Sequence, residues 1–320
     1  MALKVGTQAI GTVYRGGSLV TRIYQGDQIA FDSGAEPVEP DPTITFEDTF
    51  ATLSLTDDGW GEGINWGGYF LGYDVRYLSG NGDQAMKAAP SYAGTGGQTL
   101  AQLGLACHEI VNGNLKLYGR QIPSEHQAQF GGFPYVGGMI TSELSHNQLY
   151  GIVECRARFV SSFGHHWAMW LLPLDGSWPP EIDMVERVRN ASLSTYDTNL
   201  YMNRHLPEGV TADRTVHNGA TQGTPPYLNV GTVEAANDWH DYKFIWTPTT
   251  MEWYIDGLLR MSCPNFINKH MYFLISPEIG GGWPGATTQD TVWPMEAEIE
   301  YVRWRALAGL EQTLYPSTVL

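Results

Sequence analysis

The chain of 320 residues carries 18 Lys and Arg against 34 Asp and Glu, a formal net charge of −16. Because nucleic acids and anionic membranes bind basic surfaces, this balance excludes both as expected partners. The length accommodates one large domain with a small appendage, and three cysteines are an odd number that cannot form a disulfide framework. They are Cys107, Cys155 and Cys263.

The first residues show neither a secretory signal nor a membrane anchor. Met1–Thr7 lacks an apolar core segment, and no apolar run in the sequence approaches the length that spans a bilayer. Residues 13–20 recur as residues 23–30, a ten-residue repeat of short strand signals and glycine turns. We therefore predict a small β-hairpin module over residues 1–34.

Two interpretations of this module stay open. Such hairpin repeats resemble small modules of bacteriophage tail proteins, which would attach the chain to a phage tail or another assembly. The alternative is an extra hairpin that packs on the main domain. Residues 35–43 are rich in proline and acidic residues, which predicts a stiff linker. The predicted main domain occupies residues 44–320.

β-strand signals dominate beyond the linker. Residues 150–159 alternate between an apolar and a polar face, as in a half-buried antiparallel strand. Residues 251–261 predict a hairpin around an Asp256-Gly257 turn, and residues 296–301 alternate again. Short strands at this spacing predict an all-β sandwich of two packed antiparallel sheets.

The segment Glu181-Ile-Asp-Met-Val-Glu186 places three carboxylates in one short stretch. In a plain strand Glu181 and Asp183 would share a face while Glu186 pointed the other way. A β-bulge between Asp183 and Glu186 would bring all three to one face. Like charges so close cannot all ionise, so one carboxyl is pushed toward the protonated form while another stays anionic. Acid-and-nucleophile chemistry on a glycosidic bond requires this divergence.

This segment, written E-I-D-x-x-E, resembles the catalytic signature of glycoside hydrolase family 16, the family of laminarinases, lichenases and agarases. Further similar segments follow in the family's order from about Phe46 to Trp304. They are Gly138–Ser142, Tyr150–Arg158, Trp170–Pro173, Asp175–Glu181, His240–Pro248, Trp253–Gly257, Gly280–Gly285 and Tyr301–Arg303. The segment that ends at Glu181 is most similar to the branch that depolymerises bacterial exopolysaccharides such as succinoglycan.

The resemblance implies a β-jelly roll whose concave sheet carries a substrate cleft, and a retaining endo-β-glycanase. In the implied roles Glu181 is the nucleophile, Glu186 the acid/base, and Asp183 the carboxylate that holds charge and proton on its neighbours. No cofactor is expected for catalysis. The expected partner is a polysaccharide outside the cell, either a bacterial exopolysaccharide or a β-1,3/1,4-glucan. Agar- or carrageenan-type galactans are the alternative substrate.

Tryptophans divide into predicted platforms and predicted core residues. Trp178 precedes Glu181 by three residues, and Trp283 lies in a glycine-rich loop. Both are expected to stack on sugar rings beside the cleft. Trp170 and Trp246 alternate with apolar neighbours and are assigned to the core.

The chain departs from the family pattern at two places. Within Gly164–Trp170, His166 stands where the family has tryptophan and Trp167 where it has proline, and both are predicted to contact substrate. After the catalytic strand, Tyr201 occupies the family's common histidine position and is predicted to reach the cleft. His205 is the alternative there, with a surface position expected for it.

Charged residues elsewhere supply two further predictions. Arg156 and Glu154 are candidates for the cleft floor, with an ordinary cross-strand ion pair as the plainer alternative. Many family members hold a structural calcium on the convex side. Glu47, Asp48 and Glu300 are the oxygen donors predicted for such an ion here.

Two non-enzymatic classes remain as alternatives. The first is a carbohydrate-binding or adhesin module that uses the same fold without turnover. The second is a phage structural protein, which the repeat in residues 1–34 would support. The presence of all three carboxylates favours the enzyme.

Overall fold

A computed structural model of the chain describes six short strands between residues 3 and 32, and then residues 43–57, 63–70, 75–207 and 227–307. The chain divides into two compact units, Met1–Thr45 and Phe46–Leu320. The strands of the first unit form three antiparallel hairpins. They are β1 (Leu3–Val5) with β2 (Gln8–Ile10), β3 (Val13–Arg15) with β4 (Ser18–Val20), and β5 (Arg22–Gln25) with β6 (Gln28–Asp32).

Each copy of the ten-residue repeat therefore falls in its own hairpin. The predicted linker lies outside the described residues, apart from Thr43. The attachment of residues 1–34 to a phage tail or another assembly stays a prediction.

The regular secondary structure described in the larger unit is almost entirely β-strand. In chain order they are β7 (Ile44–Asp48), β8 (Leu55–Thr56), β9 (Trp66–Gly67), β10 (Ala85–Lys87), β11 (His108–Val111), β12 (Asn114–Gln121), β13 (Tyr135–Gly137), β14 (Ile140–Thr141), β15 (Asn147–Gln148), β16 (Gly151–Val160), β17 (His165–Pro173), β18 (Glu181–Arg189), β19 (Asn199–His205), β20 (Tyr227–Asn229), β21 (His240–Trp246), β22 (Thr250–Ile255), β23 (Leu258–Pro264), β24 (Met271–Ile279) and β25 (Met295–Arg305). The α-helices are single turns, α1 (Ser124–Gln127) and α2 (Val233–Ala236). Among the described residues no helix is long and apolar enough to cross a membrane.

These strands form two sheets. The first, called the outer sheet, has the order β10-β13-β12-β25-β16-β21-β22-β23, with β11 beside β12 and β7 beside β25. The second, called the cleft sheet, has the order β20-β19-β18-β17-β24-β14-β9-β8, with β15 beside β24. Pairing is antiparallel except for two short parallel pairs, β10 with β13 and β8 with β9. The predicted all-β sandwich is confirmed, and both sheets are mixed rather than purely antiparallel.

The hydrophobic core fills the space between the sheets, as the strand patterns predict. Along β16 alternate residues are buried, including Cys155, whose thiol is free. The predicted hairpin is β22–β23, and its turn residues Asp256 and Gly257 have φ values of 54° and 74°. Both central residues of a type I′ turn need such positive φ. The fully buried tryptophans of the core are Trp66, Trp167, Trp246, Trp253 and Trp304.

Four neighbouring strands of the cleft sheet position the site. These strands are β19, β18, β17 and β24, in that spatial order. β17 and β24 are buried along their whole length on both faces. One face packs on the core, while the other forms the floor of a cleft.

Candidate active site

A bulge in β18 brings three carboxylates to the same face. Against β19, Asp183 pairs with Asn203 and Glu186 pairs with Tyr201, so the register shifts between the two acids. The shift appears against β17 as well. The extra residue returns Glu186 to the face of Glu181 and Asp183, because side chains alternate on either side of it. All three carboxylates line the cleft. The predicted bulge is confirmed.

The bulge is fixed from the core side. The indole Nε1 of Trp253, on β22 of the outer sheet, donates to the backbone carbonyl of Asp183 at 2.9 Å. A bulge disrupts the regular ladder, and a buried carbonyl without a donor is costly. Trp253 therefore satisfies a backbone oxygen at the centre of the catalytic segment.

The cleft has a volume of about 1090 Å³, at the upper end of the range for ligand sites. Its floor and walls are aromatic, apolar and acidic. The described residues that line it are Phe70, Val75, Tyr77, Leu78, Gly80, Asn81, His166, Ala168, Trp170, Leu172, Trp178, Glu181, Asp183, Glu186, Tyr196, Asn203, His205, Ser276, Glu278, Gly282 and Trp283. An open cleft of this kind suits an extended ligand.

Two carboxyls of the trio, those of Glu181 and Glu186, hold their protons unusually tightly. Burial, followed by the charge of Asp183, raises the pKa of Glu181 to about 8 and that of Glu186 to about 7. His205 partly opposes this for Glu181, and the indole of Trp178 donates to Glu181 Oε2 at 2.9 Å. Strongly interacting carboxyls titrate as one unit. The cluster can therefore hold a proton on one carboxyl and a charge on another near neutral pH.

His205 is the cation that contacts Glu181 and Asp183. Its predicted surface position is wrong, because the side chain lines the cleft. Its Nε2 lies 3.3 Å from Glu181 Oε1 and 3.3 Å from Asp183 Oδ2. Burial lowers the pKa of His205, but Asp183 and Glu181 outweigh burial and raise the pKa to about 9. The pairing of β18 with β19 sets His205 directly opposite Glu181.

A second buried network contacts Glu186, the acid/base candidate, and its central residue is His166 of β17. His166 Nε2 lies 3.1 Å from Glu186 Oε1, and His166 Nδ1 lies 3.3 Å from Glu278 Oε2. The amide of Asn81 donates to Glu278 Oε1 at 2.8 Å. Glu278 was not predicted as a site residue, although a single acid within the mainly apolar strand Met271–Ile279 is a signal in the sequence.

Tryptophans form the walls and part of the floor of the cleft. Trp178 is 62 % exposed, and Trp283 packs edge-on against His166 at 5.1 Å between ring centroids. Both line the cleft where predicted, and their stacking on sugar stays a prediction. Trp170, assigned to the core, is buried but faces the cleft, where its Nε1 donates to Ser276 Oγ at 3.0 Å. Trp246 lies in the core as predicted.

Trp167 and Tyr201, two of the side chains predicted to contact substrate, are buried. Trp167 is fully buried between the sheets beside Phe159, because it alternates with His166 on β17. Tyr201 is on the cleft face but only 1 % exposed, covered by Trp283 at 5.2 Å between ring centroids. Its hydroxyl accepts from the Asn199 amide at 3.0 Å. Neither side chain lines the cleft, so both predictions are wrong, and Tyr201 instead supports Trp283.

Arg156 and Glu154 are also misplaced by the sequence prediction, since β16 belongs to the outer sheet. Arg156 pairs with Glu300 at 3.1 Å, and Glu154 accepts from Arg305 Nε at 2.9 Å. Their face of β16 points away from the core on the side opposite the cleft. The plainer alternative of cross-strand ion pairs is correct.

The predicted calcium donors do not come together. Glu47 pairs with Arg303 at 2.6 Å, while Asp48, on the other face of β7, accepts from the Trp66 indole at 2.8 Å. Glu300 is held by its arginine partner on β16. Within the described ranges, only Glu181, Asp183 and His205 are close enough together to hold a metal ion. A structural calcium elsewhere stays a prediction.

Comparisons with known proteins identify the class of this site. The family described as glycosyl hydrolases family 16 matches residues 105–301. Among solved structures, the catalytic domain of an endo-1,3-β-glucanase (laminarinase) from Thermotoga petrophila RKU-1 aligns with a TM-score of 0.60 at 22 % identity, covering 82 % of this chain and 97 % of that one. The endo-β-1,3-glucanase from Pyrococcus furiosus aligns with a TM-score of 0.61 at 20 % identity, covering 85 % and 98 %. These similarities show the jelly-roll fold.

The chain belongs to glycoside hydrolase family 16. It is 31 % identical over 265 residues to endo-1,3-1,4-beta-glycanase ExsH of Rhizobium meliloti, covering 81 % of this chain and 50 % of that protein. It is 29 % identical over 272 residues to endo-1,3-1,4-beta-glycanase EglC of the same organism, covering 82 % and 51 %. The chain thus spans about half the length of these two relatives.

Proposed function

We propose that the chain is a retaining endo-β-glycanase that hydrolyses internal bonds of a polysaccharide. The observation that carries this proposal is the bulged strand that presents Glu181, Asp183 and Glu186 together on the floor of an open cleft. The names of the two Rhizobium meliloti relatives, both endo-1,3-1,4-beta-glycanases, support it. We also propose that the chain acts outside the cell.

The mechanism proceeds by double displacement. The Glu186 carboxyl gives its proton to the glycosidic oxygen while the Glu181 carboxylate attacks the anomeric carbon, and the bond to the leaving sugar breaks. A water then attacks the anomeric carbon. Glu186 takes a proton from that water, and Glu181 leaves as a carboxylate. The geometry required is a separation of about 5 to 5.5 Å between the two carboxyls, which same-face positions on one bulged strand can provide.

Asp183 and His205 divide the proton and the charge within the cluster. Asp183 raises the pKa of both reacting carboxyls, which keeps Glu186 protonated near neutral pH. His205 and the Trp178 indole contact Glu181 and favour its anionic form. The proposed mechanism requires the two carboxyls to begin the reaction in opposite protonation states, with the proton on Glu186 and the negative charge on Glu181.

We propose an uncharged β-1,3(4)-glucan or a neutral exopolysaccharide as the substrate. Four carboxyls and two histidines line the cleft, and no Lys or Arg occurs among its described lining residues. Because both histidines already face carboxyls, the described lining offers no unpaired cation to a sulfated or carboxylated glycan. Aromatic side chains offer flat apolar faces to sugar rings. Charged galactans of the carrageenan type are therefore disfavoured.

A polysaccharide panel tests this proposal. Mixed-linkage glucan, laminarin, neutral agarose and sulfated carrageenan are each incubated with the protein, and new reducing ends are measured. We expect cleavage of an uncharged β-glucan, with proton NMR showing that the β-anomer is released first. Initial release of the α-anomer would contradict the retaining mechanism. Binding without any new reducing ends would favour the carbohydrate-binding alternative.

A further inference from the structure

His166 lies between two buried carboxylates that approach its two ring nitrogens. Glu186, on β18, faces Nε2, and Glu278, on β24, faces Nδ1. The side chains are 5 %, 10 % and 8 % exposed for His166, Glu186 and Glu278. The strand pairing explains the contact with Glu278, because His166 and Glu278 are directly opposed across β17 and β24.

Glu278 has further polar neighbours besides His166. Asn81 donates to its other carboxylate oxygen, and the buried Lys87 adds a favourable charge. Lys87 itself pairs with the buried Asp83, whose Oδ1 also accepts from the Ile279 backbone amide at 3.1 Å. Glu278 is therefore a fixed anion on a rigid part of the sheet.

The doubly protonated ring of His166 suits this position whether or not Glu186 is ionised. An imidazolium donates from both nitrogens, whereas a neutral ring that donates to Glu278 would turn its other lone pair toward Glu186, which suits only a protonated Glu186. Burial lowers the pKa of His166, but Glu186 and Glu278 outweigh burial and raise the pKa to about 10. Burial raises the pKa of Glu278, but His166, Lys87 and Asn81 lower it to about 2. Asp183 and His205 are the further charged groups on the same floor.

Resting on the proposed function, we propose that His166, anchored by Glu278, is a positioning residue that orients the Glu186 carboxyl and supplies a permanent positive charge beside it. The contact between Nε2 and Glu186 Oε1 is short but is not a hydrogen bond in the unliganded site, so His166 acts on Glu186 through the charge of the ring. Hydrogen bonds of catalytic groups often align only when substrate is bound. The charge helps Glu186 to become a carboxylate after it has given up its proton, as the second displacement requires.

This role differs from the substrate contact predicted for His166 from the sequence. The ring nitrogens of His166 lie 3.1 and 3.3 Å from carboxylates, so a sugar hydroxyl would have to compete with a carboxylate for either nitrogen. Loss of a sugar contact would raise KM, whereas loss of a positioning charge lowers kcat and moves the pH profile. The two roles therefore have different kinetic signatures.

The chain contains a matched control in His165. It is the neighbouring residue on β17, equally buried, but it faces the core, where its Nδ1 accepts from the Ser162 backbone amide at 3.2 Å. Burial lowers its pKa to about 3. His165 is therefore a neutral histidine with no carboxylate partner among the described residues.

The first measurement needs no substrate. In the full chain labelled with ¹⁵N-histidine, the signals of His166 are assigned by loss in His166→Gln, and those of His165 by loss in His165→Gln. We expect His166 to show two protonated ring nitrogens up to pH 8, while His165 remains neutral from pH 5 upward. A neutral His166 at pH 7 would overturn the proposal, whether or not the protein cleaves any glycan.

The second measurement uses the glycan that the wild-type chain cleaves. His166→Gln should lower kcat by about 10- to 100-fold, less than the loss of a general acid itself, with KM changed by less than about twofold. The alkaline limb of the pH profile should move to higher pH, since removal of a positive charge raises the pKa of Glu186. Glu278→Gln should reproduce part of the loss in kcat, and His165→Gln should show neither effect. A raised KM with unchanged kcat in His166→Gln would assign the residue to substrate binding instead, and a wild-type chain without activity would count against the proposed function alone.

Discussion

At the residue scale, the carboxyls of the trio differ in their neighbours. Glu181 contacts His205 and an indole, while Glu186 contacts His166. In the proposed mechanism Glu181 acts as the nucleophile and Glu186 as the acid/base. Asp183 lies between them and couples their protons.

Conservative substitutions of the trio test these roles. Glu181→Gln and Glu186→Gln should each lower kcat by at least about 10²-fold, because the amide keeps the shape but cannot act as nucleophile or acid. Asp183→Asn should also be severe, since it removes the charge that holds the proton on Glu186. Initial rates on an unactivated β-glucan are measured, with the exposed Glu125→Gln as the control. Near-wild-type hydrolysis by Glu186→Gln would place the acid elsewhere.

At the scale of elements, the bulge of β18 contacts both the cleft and the core. Its carboxylates line the cleft, and the Asp183 carbonyl accepts a hydrogen bond from the core. Trp253 reaches from the outer sheet to the Asp183 carbonyl, so the opposite sheet helps to fix the geometry of the catalytic strand. The core therefore helps to hold the strand that carries the three carboxylates, although Trp253 itself is not among the residues that line the cleft.

Loss of the Trp253 indole should lower activity more than loss of the Trp246 indole, which is equally buried but contacts no carbonyl of the bulge. Trp253→Phe deletes the donor to the bulge, whereas Trp246→Phe removes an equally buried indole whose Nε1 has no hydrogen-bond partner in the described structure. We expect Trp253→Phe to be less stable than Trp246→Phe by about 1–3 kcal/mol, the cost of an unsatisfied buried carbonyl. Its kcat should also fall several-fold. Denaturant unfolding and initial rates measure both quantities, and equal effects of the two substitutions would contradict the role of Trp253.

For the whole molecule, the shifted groups predict how stability depends on pH. On the alkaline side, the pKa values of His205 and His166 are raised from 6.5 to about 9 and about 10. Their contribution is fully present below pH 6.5 and is lost as the pH rises through those values. The pKa values of Glu181 and Glu186 are raised from 4.5 to about 8 and about 7, so the contribution of their protonated forms is fully present below pH 4.5 and is lost as the pH rises through about 7 and about 8.

At acid pH, three other buried histidines make the free energy of unfolding fall as the pH falls. Burial lowers the pKa of His108 and His146 to about 4 and that of His165 to about 3. Their contribution is present above pH 6.5 and is lost as the pH falls. The free energy of unfolding should therefore be largest at about pH 6.5 and fall at pH 4.5 and pH 9. Denaturant titrations at these three values measure it, and Glu181→Gln should flatten the alkaline fall.

The division of the chain into two units leads to a prediction about the first residues. Deletion of residues 1–35 should leave hydrolysis of a soluble glycan almost unchanged, because the family match begins only at residue 105 and the cleft lining at Phe70. The same deletion should remove attachment to a larger assembly, if residues 1–34 have that role. Activity of the truncated protein and its co-sedimentation with virions measure the two effects. Misfolding on truncation would make the hairpins an integral part of the catalytic domain.

The sequence by itself determined the fold class and the bulged strand that carries the three carboxylates. Alternation along residues 150–159 and the Asp256-Gly257 turn are local signals, and each corresponds to the strand or hairpin that it predicts. The spacing of Glu181, Asp183 and Glu186 required a bulge if all three were to act together, and the register of β18 contains it. Patterns of this kind act over a few residues, so they can be interpreted without knowing which strands become neighbours.

Only the tertiary structure decided which side chains surround the trio. His205 faces Glu181, and Glu278 faces His166, because strands far apart in sequence pair in one particular register. The same pairing buries Trp167 and opens Trp170 to the cleft, and it assigns Arg156 to the opposite sheet. A shift of one residue in any of these pairings would reverse every face. Register depends on long-range packing, which a single strand's composition does not encode.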